Sequence, residues 1–139
     1  MTDRSFNMRL SCAYQGNENE ITQLEVKHLN EGAWEVFAPG LQSPGFLIFV
    51  YAIFHCQHRL FRVTAARQHL PLESARGSID VTTGADWKIK TLQVGFEGRL
   101  TAGEARTEDI AVITGAMKAC PVSVNLREGA EAGSTVSFV

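Results

Sequence analysis

The sequence has no apolar run long enough to cross a bilayer. The longest, Phe46 to Phe54, falls well short of the ~20 residues a spanning helix needs, and the opening Met1-Thr2-Asp3-Arg4-Ser5-Phe6 carries no apolar segment of the kind that directs export. No membrane partner is expected, and a cytoplasmic location is. Basic blocks are missing too. With 13 Lys and Arg against 15 Asp and Glu the formal charge is −2, which gives no general attraction for phosphate backbones, so no nucleic-acid partner is expected. Cysteine is scarce at three residues, and without an export signal these read as reduced thiols with a packing or chemical role rather than a disulfide framework. Proline is nearly as scarce, so each of Pro39, Pro44, Pro71 and Pro121 is informative as a break.

What remains is ordinary for a folded protein: 45% hydrophobic and 20% charged residues in 139, the size of one domain spanning residues 1–139, with no repeat, linker or low-complexity segment. Phe6, Met8, Leu10, Cys12 and Tyr14 alternate with polar residues, the period of a strand with one buried face, and Gln15 to Asn19 supplies a turn. Ile21–Leu29 and Ala33–Phe37 read as two further strands. From Ser43-Pro44 to about His69 the pattern changes to a long helix, with Ser43 as N-cap and Pro44 at N1. Its first two turns are apolar all round, as in a helix buried on every side, and a second subunit is the simplest source of cover in a chain this small. Strands follow over Ser74–Thr82 and Lys88–Leu100. A second helix capped by Thr107 then carries Ile110, Ile113, Met117 and Cys120 on one face, and Ser134–Val139 can close as a last strand.

Two cysteines sit where chemistry is possible. On the long helix Cys56 shares a face with Phe49, Ala52 and Ile53 before it and Arg59, Leu60 and Val63 after it. Apolar surroundings make a thiol inert, whereas a guanidinium beside it stabilises the thiolate, so the reading depends on whether Arg59 reaches the sulfur. Cys120-Pro121 ends the second helix. If Pro121 opens a new turn, the Cys120 sulfur faces free backbone N–H groups that would lower its pKa, although a buried position at the end of an apolar stripe is the commoner outcome.

Ser43-Pro44, the apolar helix bearing Cys56, the exit Leu70-Pro71-Leu72-Glu73 and the later Ala119-Cys120-Pro121-Val122-Ser123 together resemble the landmarks of the OsmC/Ohr family, with the two cysteines 64 residues apart. The resemblance is best from Ser43 onward. It implies an α+β fold of antiparallel sheets around a long buried central helix, an intertwined homodimer, and sites built from both subunits. It further implies a thiol peroxidase in which Cys56 attacks an organic hydroperoxide, becomes a sulfenic acid, and is resolved by Cys120 as a disulfide that an external dithiol reduces. Arg59 or Arg9 would supply the stabilising cation, and Phe49, Ile53, His55, His58 and Met117 the lining of the binding site.

Three positions depart from that pattern. The glutamate that the resemblance implies shortly after Pro44 is replaced by Gly45, Phe46 and Leu47. Arg9 alternates with Met8 and Leu10 and so should face away from them. Met117 stands where a histidine often precedes the second cysteine. In their place the helix carries His55-Cys56-Gln57-His58, in which two histidines three apart can share a face and could bind a metal or supply a base. With no carboxylate nearby that spacing defines no metal site, so no metal or other cofactor is expected. Cys12, on the buried face of the first strand, is read as packing. The alternative to a peroxidase is a dimeric module that holds an apolar small molecule between its long helices.

Overall fold

The computed structural model describes residues 3–126 and 128–139. Strands β1 (Arg4–Gln15), β2 (Glu20–Asn30) and β3 (Ala33–Val36) precede helix α1 (Gly45–Arg67). Strands β4 (Leu72–Thr83) and β5 (Ile89–Leu100) lead to helix α2 (Thr107–Lys118), a short 3₁₀ turn over Ser123–Asn125, and strand β6 (Glu131–Phe138). The strands form one six-stranded sheet in the order β3-β2-β1-β4-β5-β6. Every pairing is antiparallel except β5 with β6, which departs from the all-antiparallel expectation. The reason is the α2 crossover, long enough to bring the chain back to the same end of the sheet before β6 begins.

Alternation sorts the sheet into two faces. Met8, Leu10, Cys12 and Tyr14 of β1, Ile79 and Val81 of β4, and Leu92, Val94 and Phe96 of β5 are buried toward the helices. The opposite face is polar, with Arg9 paired to Asp80 at 2.9 Å and the Thr82 and Thr91 hydroxyls hydrogen-bonded across β4 and β5. α1 lies on the buried face through Val50, Ile53, Phe54, Gln57, His58, Phe61, Thr64 and Ala65, a stripe of helical period. Asn19 ties the strands to the helix exit: at positive φ and fully buried, it donates to the carbonyls of Arg62 and Leu70 and accepts the Leu72 N–H at 2.8 Å.

Three local expectations are corrected. Pro44 itself is the N-cap of α1, because the Ser43 hydroxyl is taken up accepting the Gly40 N–H at 3.0 Å. At α2 the N-cap is Arg106, whose N–H is accepted by the Asp109 carboxylate at 3.0 Å, and Thr107 is the first helical residue. Finally, α1 is not buried all round within the protomer. Ile48 and Phe49 are 38% and 37% exposed on the side away from the sheet, since one sheet covers only one side of a helix.

Candidate active site

Cys56 is in the middle of α1, one residue before the buried Gln57, and is itself half-buried. α2 ends at Lys118, and the Cys120 N–H still reaches the Met117 carbonyl at 3.1 Å. Pro121 cannot extend that ladder, so the chain turns at Cys120 with its sulfur fully buried between the helices. The turn that follows directs the Ser123 N–H at the Cys120 sulfur, 3.5 Å away, and the Val124 N–H at the Cys120 carbonyl. The fold thus brings the two thiols of the sequence pattern together. They lie close enough for each to shift the ionisation of the other.

Their surroundings divide one proton unequally. Burial pushes the Cys56 thiol up to about 11, and the neighbouring Cys120 thiol adds to the rise. The Val122 N–H and the charge of Arg59 oppose it without overcoming it. Burial acts on Cys120 in the same direction, but there the Cys56 thiol, the Ser123 N–H and hydroxyl, and the Val122 N–H outweigh it and hold the pKa below the ordinary thiol value. Of the two thiols, Cys120 is therefore the more easily ionised.

A polar network lies behind the pair. The Ser134 hydroxyl of β6 donates to the Gln57 Oε1 at 2.8 Å, and the Gln57 Nε2 donates to the Ser123 hydroxyl at 3.4 Å. Sequence reasoning singled out none of these three for a role. The available signals were a glutamine in an otherwise apolar helix turn and the serine of the Cys-Pro-x-Ser segment; nothing local announced Ser134, which reaches the site only through the β5–β6 pairing.

The other expected site residues separate. Arg59 is exposed one turn beyond Cys56 and acts on it through its charge. Arg9 lies on the opposite, polar face of the sheet, held by Asp80 and stacked over Trp34, so within the protomer it does not approach the thiols. Ile53 and Met117 are core residues with no exposure, whereas Phe49 opens to the surface. The histidines do not share a face: His55 is exposed and stacks on Tyr51, while His58 is buried, stacks on Phe96, and is hydrogen-bonded through Nε2 to the Tyr14 hydroxyl at 2.6 Å. Among the described residues no group of three potential ligands could hold a metal ion.

No family model and no curated protein matches the sequence. Solved structures do match the fold. An OsmC-like hydroperoxide resistance protein from Jannaschia sp. CCS1 superposes with a TM-score of 0.57 at 16% identity, over 87% of this chain and 85% of that one. The OsmC fold fits this chain. An OsmC-like protein from Mycoplasma pneumoniae gives 0.55 at 11% identity over 93% and 95%, and one from Vibrio cholerae gives 0.51 at 11% over 92% and 96%. At such identities the likeness extends to the OsmC/Ohr architecture, which the chain carries in divergent form. Within that architecture the thiol pair bridges the middle of α1 and the end of α2.

Proposed function

We propose that the chain is a divergent OsmC/Ohr-family thiol peroxidase that reduces organic hydroperoxides as a homodimer. The observation that carries this reading is the pairing of Cys56 with Cys120, one thiol half-buried and the other fully buried, its sulfur receiving the Ser123 backbone N–H. Two thiols so disposed can pass through a sulfenic acid to a disulfide without further oxidation, because the second sulfur is already in place.

Cys56 is the attacking thiol, since it alone of the pair reaches the surface. Its sulfur attacks the distal oxygen of ROOH. The O–O bond breaks, the alkoxide leaves and takes up a proton as ROH, and Cys56 becomes a sulfenic acid. Cys120 then attacks the Cys56 sulfur, the S–O bond breaks, hydroxide leaves, and an S–S bond forms. An external dithiol returns both sulfurs to the reduced state by thiol–disulfide exchange. The apolar Ile48 and Phe49 on the preceding turns of α1, open in the single chain, place the thiol at the edge of an apolar seam between subunits, which favours an alkyl or aryl peroxide over hydrogen peroxide.

The test is a count of free thiols. The reduced chain has three. One equivalent of cumene hydroperoxide is expected to leave a single free thiol per chain, and Cys56→Ser to abolish the peroxide-dependent formation of the disulfide. Three thiols surviving an excess of the peroxide would refute the peroxidase and leave the apolar-ligand module.

A further inference from the structure

The pair lacks the carboxylate that would orient an arginine over Cys56, and Gly45, Phe46 and Leu47 offer no substitute. Yet the Cys120 sulfur receives the Ser123 N–H at 3.5 Å and is held below the ordinary thiol value. The source lies in the direction of the hydrogen bonds behind it. Ser134 Oγ donates to Gln57 Oε1, which fixes the amide so that Nε2 points at Ser123. Because Ser123 Oγ accepts from that Nε2, its own O–H proton is left free to turn toward the Cys120 sulfur, which the Ser123 backbone N–H reaches at 3.5 Å. All three side chains are buried or half-buried, and Gln57 is 2% exposed, so water does not compete for these groups as it would at the surface.

We propose that Ser134, Gln57 and Ser123 form a directed hydrogen-bond relay that ends on Cys120 and keeps the negative charge of the cysteine pair on that sulfur. Two side-chain bonds in series hold Ser123, whose N–H donates to the sulfur, and a donor aimed at a charged acceptor is stronger than the same bond between neutral groups. Ser123 and Gln57 are positioning residues in this scheme: neither touches the peroxide. The use made of the charge rests on the hydroperoxide reading. When a peroxide reaches Cys56, the Cys120 thiolate accepts the Cys56 S–H proton, which frees the Cys56 sulfur to attack. That proton then passes to the departing alkoxide, which regenerates the Cys120 thiolate as the nucleophile that closes the disulfide and expels hydroxide. The sum is one thiol, one thiolate and ROOH giving one disulfide, ROH and hydroxide, with two electrons moved from the sulfurs to the peroxide oxygens. A single anion thus serves first as base and then as nucleophile, in place of an arginine held over Cys56.

The titratable and charged groups around Cys120 are few. α1 contributes Cys56 and, beyond it, Arg59; Lys118 of α2 stands at the cavity lined by Gln57, Ser123 and Ser134, whose β5 and β6 walls, Leu92, Ala132 and Gly133, do not titrate. The thiolate ultraviolet absorbance of the reduced protein, followed against pH, isolates the effect without any peroxide. The lowest midpoint should belong to Cys120: it should disappear in Cys120→Ser and persist in Cys56→Ser. Ser123→Ala and Gln57→Leu should each raise it by about one pH unit, an approximately tenfold fall in thiolate at fixed pH below the midpoint, while Ser123→Thr, which keeps the hydroxyl, should leave it in place. Ser134→Ala, one step further from the sulfur, should move it in the same direction by less, and it covers the case in which Gln57→Leu does not fold. A low midpoint that survives Cys120→Ser, or one unmoved by both Ser123→Ala and Ser134→Ala in folded protein, would overturn the relay. Should the shifts appear in a protein that leaves cumene hydroperoxide untouched, the relay stands and the peroxidase reading is what fails.

Discussion

His58 is a polar residue that the fold has made part of its core. Its ring stacks on Phe96 and its Nε2 is hydrogen-bonded to the Tyr14 hydroxyl, whose own ionisation is held well above the ordinary range by burial and by the neighbouring Cys12. Burial, with the charge of Arg62 and His55 adding to it, lowers the His58 pKa to about 3 from the ordinary 6.5. The folded protein thus refuses a proton that the unfolded chain accepts. The stabilising contribution is complete above 6.5 and is lost as pH falls from 6.5 toward 3. By about pH 4 the loss amounts to roughly 3 kcal/mol. Melting temperatures recorded from neutral pH down to pH 4 should fall steeply for the wild type and less steeply for His58→Phe. Equal slopes would assign the acid sensitivity to other groups. Residues of this kind were only half legible. The period of α1 put His58 beside the thiol, but only the fold brings up Tyr14 from 44 positions away to occupy the nitrogen a metal would need. The cysteine pair was legible for the opposite reason, since each sulfur stands at a landmark that local chemistry marks: mid-helix in an apolar run, and directly before a helix-ending proline.

Elements depend on single positions too. β4 and β5 are in register at Gly77 and Phe96, and the Phe96 ring lies over the glycine, so a Cβ there would come within 2.5 Å of the ring. Phe96 in turn stacks on Phe54 and Phe61 of α1, which makes that glycine part of the seat of the helix on the sheet. Gly77→Ala should therefore push the ring into α1 and cost about 1–3 kcal/mol in denaturant unfolding. A loss much below that would mean the aromatic stack gives way freely. Most elements were legible in the sequence because period two and period 3.6 persist over long stretches, from Phe6 to Tyr14 and from Leu92 to Leu100 among the strands. The helix caps were misread because a hydroxyl or carboxylate near a helix start has several N–H groups to choose from: Ser43 went to Gly40, and Asp109 to Arg106. The parallel placement of β6 was invisible, since pairing direction follows from the route of the crossover and not from the alternation within the strand.

For the whole molecule, one sheet covers one side of α1 and leaves Ile48 and Phe49 open, a turn or two before Cys56 on the same helix. An apolar surface of this kind on the longest helix is one that a second copy would cover. Sedimentation should give a mass near twice the chain's 15.3 kDa, and Phe49→Asp should return it toward a single chain. A wild type that sediments as one chain at micromolar concentration would contradict the dimer.

The central claim is that Cys56 and Cys120 are one redox pair. It is tested most directly by treating the reduced protein with one equivalent of cumene hydroperoxide and mapping its peptides by mass spectrometry without reduction. The account predicts a peptide linked through Cys56 and Cys120, with Cys12 recovered as a free thiol from the sheet core. Both cysteines recovered as thiols, or a link that runs through Cys12, would contradict it.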